Sequence, residues 1–402
     1  MQPSSNMSKT TSTMMRDRMV DENETLRLSL KWSRDLCIAH AAPEGGLLTG
    51  MSYSLIAILA LVVIGLPVTA TAEESKSTKE TPAQKDWTNF VPVDPTPAKD
   101  GVVDLKATTA FLSEPDIMRR DPSDVIRCGD TYYVWYTKVL KGQPGYPGGW
   151  SGSVWYATSH DGHQWEEQGP ALHAGGQEEW DGAGVYTPNI LPYQGKYYLA
   201  YTAMAAPFDR KLSRASIGIA VSDSPDGPWK KLQSNPVIKP SDSTNDPDSF
   251  LCDDAVFVVH DGKIWLYYKG FAGQDLEDGT RIRVRKTTFL LTATADTPEG
   301  PYTKVPKILH RGHEALVWKD SNFIGSMCVG IGWGPSRMFS SADGVHFQSI
   351  YKLNPQLAAG IYRHDFEEDS TGARPSWGVS MEENKGQGLS RFEIIWPQDN
   401  AK

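Results

Sequence analysis

The sequence predicts an all-β protein with the fold of a five-bladed β-propeller, and three observations support this prediction. Segments of one pattern recur at nearly even spacing, and helical periodicity is almost absent between residues 105 and 398. Asp-Gly or Pro-Gly turns also recur, each with an aromatic residue shortly after it. Repeats that each hold several strands are typical of propeller blades.

Each repeat opens with a lead residue, continues through a short apolar strand to a turn glycine, and then enters an aromatic-rich strand. The leads of the first three repeats are Asp121, Thr187 and Asp254, and each lies the same distance before its turn glycine. Repeats place equivalent positions around one axis, so Asp121 and Asp254 should face each other across the mouth of the propeller. Two facing acids are the arrangement that glycoside hydrolysis needs.

The second half of the repeat supports the same fold. Four segments each end a strand in a turn that supplies the positive φ of hairpins. These segments are residues 158–165, 221–229, 294–302 and 340–347. A final stretch, residues 360–396, is expected to form the fifth blade.

The first part of the chain reads as a leader. Leu55 to Leu66 is an apolar run, and a small-x-small site follows it, which predicts a signal peptide over residues 51–72 with cleavage after Ala72. We therefore expect a periplasmic or secreted protein. The run is short for a membrane span. Contact with a membrane is expected only if the leader stays uncleaved as an anchor.

Two segments flank the signal peptide, and neither resembles a folded domain. Residues 1–50 are polar and patternless, so we interpret them as a misannotated or disordered leader, with translation beginning at Met51. Residues 73–104 are rich in Lys, Glu, Thr and Pro, which predicts a linker or N-terminal arm. The catalytic propeller domain is then expected over residues 105–398.

Charge and cysteine content narrow the partners. The formal net charge is −9 and no basic stripe occurs, so we expect an oligosaccharide substrate, neutral or poor in anions, and no nucleic acid. The four cysteines are widely scattered and show no metal-ligand spacing. We expect no metal and no cofactor, and we interpret the cysteines of the domain mainly as small core residues.

The lead acids are the first candidates for chemistry. Asp121 is interpreted as a general base that activates water, although an Asp before Pro also commonly opens a turn. The matching Asp254 favours the functional interpretation. Asp124 and Asp253 are set aside because their register departs from the repeat.

The fourth repeat supplies a second kind of candidate. His313 and Glu314 lie where the next blade should start, and we expect His313 at the lead position. A single His-Glu pair lacks the spacing of a helical zinc motif, so proton transfer is the better interpretation of His313. A solvated surface pair is the alternative.

Several strings of residues together resemble glycoside hydrolase family 117, and the resemblance covers roughly residues 105–398. The discriminating strings are Gly184–Asn189 and Gly312-His313-Glu314. The others are Arg120–Ser123, Asp253-Asp254 before Trp265–Gly270, Tyr362-Arg363 and Pro375–Gly378.

This resemblance implies an activity as well as a fold. The family is a group of five-bladed propellers related to family 43. Its members release 3,6-anhydro-L-galactose from neoagaro-oligosaccharides by exo-cleavage of an α-1,3 bond with inversion. Asp121 would be the general base and His313 the general acid. Asp254 would orient the site and tune the acid, and Glu314 would bind the sugar or tune His313.

Substrate-binding residues are expected in two places. Tyr186, Thr187 and Asn189 belong to a discriminating string, and Trp150 ends a loop that should shape the subsites. The loop 208–213 is expected to shape them as well. In this family a helical pair swaps between two subunits, but residues 73–104 lack its periodicity, so the oligomeric state stays open, with a dimer as one option.

Two other functions remain open at this stage. One is an arabinanase-like hydrolase of another sugar, in which Glu314 is a conventional acid. The other is a propeller that binds glycans without cleaving them.

Overall fold

The computed structural model describes most of the chain after residue 96 and a short segment before it. The described ranges are residues 85–87, 96–329, 336–367, 374–382 and 386–397, without the side chain of Lys286. All lie within one compact unit, residues 79–402. The predicted leader, signal peptide and most of the predicted linker lie outside them. In the described ranges no helix is long and apolar enough to cross a membrane.

The strands form five blades around one axis, and the first strand, β1 (Val102–Phe111), belongs to the last blade. Blade 1 consists of β2 (Ile117–Arg120), β3 (Ile126–Cys128), β4 (Thr131–Leu140), β5 (Ser153–Ser159) and β6 (Glu166–Leu172). Blade 2 consists of β7 (Gly184–Tyr193), β8 (Lys196–Met204), β9 (Ala215–Ser222) and β10 (Lys230–Lys231).

The next two blades repeat this antiparallel order. Blade 3 consists of β11 (Leu251–His260), β12 (Lys263–Asp275), β13 (Arg281–Ala295), β14 (Thr303–Lys304) and β15 (His310–Arg311). Blade 4 consists of β16 (His313–Lys319), β17 (Ile324–Val329), β18 (Arg337–Ser341) and β19 (Gln348–Asn354).

The last blade joins the two ends of the domain. It consists of β20 (Ala359–Ile361), β21 (Trp377–Met381), β22 (Leu389–Ile395) and the N-terminal β1. Strand β1 pairs antiparallel with β22 and also runs parallel to β19 of blade 4. This pairing covers the outer edge of β22, which a propeller would otherwise expose. The prediction of an all-β, five-bladed propeller is confirmed, and its first strand begins just ahead of the expected boundary.

The recurring turns have the expected chemistry. In blade 1, Asp161 accepts hydrogen bonds from the backbone N–H groups of His163 and Gln164, both at 2.8 Å. In blade 4, Asp343 does the same for Val345 and His346. Such Asp side chains hold the turn that lets each blade reverse direction.

Aromatic residues fill the seams between blades. Trp135 of blade 1 meets Trp229 of blade 2 edge to face, with ring centroids 5.9 Å apart. Cys252 and Cys328 are buried and, with Cys128, are free thiols. These cysteines therefore serve as small core residues, as expected.

A buried ionic cluster ties the blades together at the axis. Arg363, which precedes a 3-10 helix at His364–Phe366, is 1 % exposed. Its guanidinium donates to Asp124 of blade 1 and to Asp365, in each case at 2.7 Å, and to the carbonyl of Phe257 in blade 3 at 2.9 Å.

Blades 2, 4 and 5 join the same cluster. The Asn189 amide of blade 2 hydrogen-bonds Asp124 and accepts the N–H of Phe257 at 3.2 Å. Asp365 accepts the N–H of Lys319 from blade 4, and Asp124 accepts the N–H of Ile361 from blade 5. The Asp124 side chain therefore points away from the mouth, as its register predicted.

We expect the variant Arg363→Met to lose about 3–5 kcal/mol of unfolding free energy, because it leaves buried carboxylates without their cation. Urea unfolding followed by tryptophan fluorescence measures this loss. The matched control is Arg127→Met, which removes an exposed ion pair with Asp130 and should cost less than about 1 kcal/mol. Equal losses in the two variants would contradict a central role for Arg363.

Candidate active site

The lead residues share one unusual backbone conformation. Each has a positive φ, which non-glycine residues adopt rarely and at a cost in energy. The values are 51° at Asp121, 44° at Thr187, 49° at Asp254, 51° at Glu314 and 32° at Ala358. In blades 2, 3 and 4 the strand register shifts at this point, as in a β-bulge. One lead per blade therefore lies at an equivalent position beside the axis.

This geometry corrects the sequence prediction for the fourth blade. Glu314, not His313, is the equivalent of Asp121 and Asp254, and His313 is the last paired residue before the bulge. The sequence misled because the loop after β16, residues 320–323, has no glycine to mark the register. Spacing alone then placed the lead one residue early.

The leads line two connected levels of the axial opening. The leads and the residues after them line an inner cavity of about 40 Å³. The four leads Asp121, Thr187, Asp254 and Glu314, each with the residue that precedes it, also line an outer cavity of about 100 Å³. Asp121 and Asp254 thus share one small site, as the repeats predicted.

Seven of the eight predicted site residues line the outer cavity, and Asn189 does not. Asn189 lines only the inner level and is 4 % exposed. Its amide is engaged with the N–H of Phe257 and with Asp124. The structure therefore places Asn189 in the packing between blades rather than at the mouth.

The charged residues that line the outer cavity beside the leads are called the floor of the site. Within it, a lysine and two aspartates form one cluster. Lys269 on β12 is 7 % exposed and contacts the carboxylates of Asp254 and Asp253, the latter at 3.2 Å. Burial and the adjacent Asp253 raise the pKa of Asp254 well above its usual value. Burial would raise the pKa of Asp253, but the Lys269 charge outweighs this and lowers the pKa below its usual value. One ammonium thus faces two carboxyl groups, and Asp254 is the one inclined to hold a proton.

Asp121 is paired with its own neighbour in the chain. Arg120 donates to Asp121 at 3.1 Å, and the guanidinium is fixed further by the carbonyl of Pro147 at 3.1 Å. Burial raises the pKa of Asp121, the Arg120 charge opposes this rise, and Glu314 adds to it. The result is a raised pKa, so Asp121 is a better proton acceptor than an ordinary surface aspartate.

His313 and Glu314 form the third pair of the floor. The two side chains approach at 3.2 Å between Nδ1 and Oε1, and Oε2 of Glu314 accepts the N–H of Ala358 at 2.9 Å. Burial alone would raise the pKa of Glu314, but the hydrogen bond and charge of His313 lower it to about 2. Glu314 is therefore an ionised carboxylate with both oxygens engaged.

Two predicted substrate-binding residues lie beside these pairs. Tyr186 is 2 % exposed, lines the outer cavity, and its hydroxyl has no hydrogen-bond partner among the described residues. A buried hydroxyl without a partner is costly, so it is ready to bond a ligand group. The Thr187 hydroxyl instead bonds Thr202 at 2.6 Å and Asp253 at 3.2 Å, which positions the floor.

Two loops frame the mouth, and they are the two that the sequence assigned to the subsites. Trp150 stacks on Phe208 with ring centroids 6.1 Å apart and an interplanar angle of 16°. Phe271 lines the mouth as well, with the Arg283 guanidinium 5.0 Å from its ring centroid.

Sequence reasoning missed four residues of the site. Asp253 was set aside on register, yet it lines the mouth and pairs with Lys269. Arg120 and Lys269 stood inside the strings that carried the family resemblance, so a signal for them existed. Arg283 lies on a long outer strand, and nothing in the sequence pattern points to it.

Three side chains could offer ligand atoms to a cation. One ligand atom each from Asp254, His313 and Glu314 lie within 4.8 Å of one another. The Lys269 ammonium already contacts Asp254, and His313 already contacts Glu314, so these acids have counter-charges of their own.

Comparison with known proteins shows that this chain is similar to glycoside hydrolases. The model of "Glycosyl hydrolases family 43" matches residues 117–314. A family 117 glycoside hydrolase produced by the marine bacterium Zobellia galactanivorans is 27 % identical, with a TM-score of 0.61 over 73 % of this chain and 90 % of that one. The resemblance to family 117 is confirmed.

Two further relatives are more distant. A GH43_1 enzyme from Xanthomonas citri, solved with xylotriose, is 16 % identical, with a TM-score of 0.50 over 73 % of this chain and 92 % of that one, and shows the fold alone. Xylosidase/arabinosidase 43A of Humicola insolens is 32 % identical over 102 residues. That match spans 24 % of this chain and 25 % of the relative.

We expect Lys269→Met to destabilise the domain by about 3–5 kcal/mol, because two buried carboxyl groups lose the ammonium group that both of them contact. Denaturant unfolding measures the change. The control Lys263→Met lies on the same strand and removes only an exposed pair with Asp296, so it should cost at most about 1 kcal/mol. A Lys269 variant as stable as this control would show that the cluster does not need its charge.

Proposed function

We propose that this protein is an exo-acting, inverting glycoside hydrolase. We further propose that it releases α-1,3-linked 3,6-anhydro-L-galactose from neoagaro-oligosaccharides or a related red-algal glycan. The observation that carries the reaction type is the shared floor, where a carboxylate with a raised pKa and a His-Glu pair line one cavity. The family 117 likeness supports the choice of substrate.

Asp121 is suited to be the general base. Its raised pKa keeps it a competent proton acceptor, and Arg120 holds its carboxylate in a fixed orientation. In an inverting reaction this base activates the water that attacks the anomeric carbon. Its positive φ of 51° supports a functional role, since proteins retain such backbone strain mainly at functional sites.

His313 is better suited than Glu314 to be the general acid. A carboxyl group with a pKa of about 2 has no proton to give at moderate pH. The ionised Glu314 instead contacts the imidazole of His313 at 3.2 Å and holds it beside the cavity. Asp254, with Lys269 and Asp253, would then orient this pair and set the charge around it.

A second candidate follows from the corrected register. Glu314 occupies the same backbone position as Asp121 and Asp254, so three carboxyl leads face one axis. A hydrolase of the arabinanase-like kind, with Glu314 as the acid and another sugar as substrate, fits that arrangement. The two candidates differ in which side chain delivers the proton to the leaving group.

The leaving group separates the two candidates. A sugar alkoxide needs a proton to leave, whereas a nitrophenolate does not. If His313 is the acid, His313→Ala should lose about 10²- to 10⁴-fold in kcat on neoagarobiose and much less on an aryl glycoside. Asp121→Asn should lose activity on both substrates, because water must be activated in either case. Product chromatography with both substrates measures these effects.

Glu314→Gln is the matched comparison for this experiment. Under the His313 mechanism its losses on the two substrates should be similar. Leaving-group dependence in Glu314→Gln, and its absence in His313→Ala, would transfer the acid role to Glu314. No turnover of any disaccharide, together with sugar binding that survives in Asp121→Asn, would indicate a binding propeller instead.

The pH profile tests the base. Activity should fall as the pH drops through the pKa of Asp121, because the protonated base cannot accept a proton. Arg120 lowers that pKa, so Arg120→Gln should move the acidic limb of kcat/KM to higher pH, whereas Arg120→Lys keeps the charge and should move it less. An unmoved acidic limb in Arg120→Gln would argue against Asp121 as the titrating base.

A further inference from the structure

The mouth of the site carries positive charge that is not paired with the carboxylates of the floor. The floor cations are committed, since Arg120 pairs with Asp121 and Lys269 pairs with Asp253 and Asp254. Arg283 also lines the mouth, yet it forms no ion pair within the described residues, and its contact there is with the ring of Phe271.

A second arginine, Arg210, belongs to the loop 208–213. The Arg210 guanidinium lies 5.0 Å from the ring centroid of Trp150, which also lines the mouth. Within the described residues Arg210 forms no ion pair either. Two aromatic platforms, Trp150 and Phe271, thus each carry a guanidinium whose charge is not neutralised by a carboxylate.

The positive charges of Arg283 and Arg210 repel each other. Burial, and then repulsion from Arg210 and Arg285, lowers the pKa of Arg283. Asp253 opposes this shift, but its carboxylate is bound to Lys269 at 3.2 Å. Like charges held together without a counter-ion cost energy, and an anionic ligand would recover it.

We propose that the mouth binds a sugar bearing an oxyanion substituent, a sulfate ester or a uronate carboxylate, held by Arg283 and Arg210. The planar guanidinium group suits either oxyanion, because it offers paired donors. The aromatic platforms would contact the sugar ring while the arginines bind its charged substituent. This inference deepens the proposed function and rests on it for the assumption that the mouth is a sugar site.

The negative net charge of the chain does not exclude binding of an anionic sugar at the mouth. The formal net charge of −9 favoured a neutral or anion-poor substrate when only the sequence was considered. Charges farther apart than about 10 Å are largely screened at 0.1 M salt, so the arginines beside the ligand dominate its binding. A neutral anhydro sugar at the cleaved position is compatible with a charged group on the adjoining sugar.

Binding can be tested without turnover. Calorimetry on the Asp121→Asn protein would compare red-algal galactan disaccharides that carry one sulfate ester, their desulfated counterparts, and a disaccharide that carries one uronate. We expect the charged ligand to bind about 10-fold tighter than its neutral counterpart, and added salt to shrink that preference. Comparing the sulfate and uronate ligands identifies which oxyanion is preferred.

Adding Arg283→Gln to Asp121→Asn should abolish most of this preference. The matched control is Arg374→Gln, because Arg374 also lies over an aromatic ring, 5.3 Å from the ring centroid of Trp396, but does not line the mouth. It should leave the preference unchanged. Equal affinity for charged and neutral ligands, or a preference that survives Arg283→Gln, would overturn the inference.

The two proposals can fail separately. A charge preference that depends on Arg283, in a wild-type protein that hydrolyses none of the disaccharides, would remove the proposed hydrolysis and keep this inference. Hydrolysis of neutral neoagarobiose without any preference for charged ligands would keep the proposed hydrolysis and remove this inference.

Discussion

The buried cluster around Arg363 is the interaction on which the rest of the structure depends. A propeller has no single core, and each blade packs only against its neighbours. Arg363 contacts Asp124, Asp365 and Phe257 directly. Backbone N–H groups of blades 4 and 5 bond to the same two carboxylates, and Asn189 of blade 2 accepts the N–H of Phe257. A charge with no exposure to water needs each of these partners, so the cluster fixes how the blades meet.

The geometry of the site follows from that fixed centre. Each blade contributes one residue with positive φ beside the axis, where its backbone bends. The bend presents the lead side chain at the axis, where blade 2 supplies a threonine and blade 5 an alanine. The acids of blades 1, 3 and 4 thereby share a cavity of about 40 Å³, although they are far apart in the sequence.

The electrostatics of the site are arranged in pairs. Arg120, Lys269 and His313 each contact an acid of the floor. Asp121 and Asp254 have raised pKa values, whereas that of Glu314 is lowered to about 2. Chemically similar carboxyl groups are thus separated into an acceptor, a proton holder and a permanent anion. Such separation is what acid–base chemistry requires.

The sequence by itself determined the repeat, the turns and most of the site, because strand periodicity, Asp-Gly turns and the leads are local features. It assigned Asp121 and Asp254 to one site because repeats impose symmetry. Only the tertiary structure decided that Glu314 is the fourth lead, since the loop 320–323 hides the register. It also decided that Asn189 belongs to the blade packing and that Asp253, Lys269 and Arg283 belong to the mouth. These roles depend on contacts between distant strands, which the spacing of the repeats does not show.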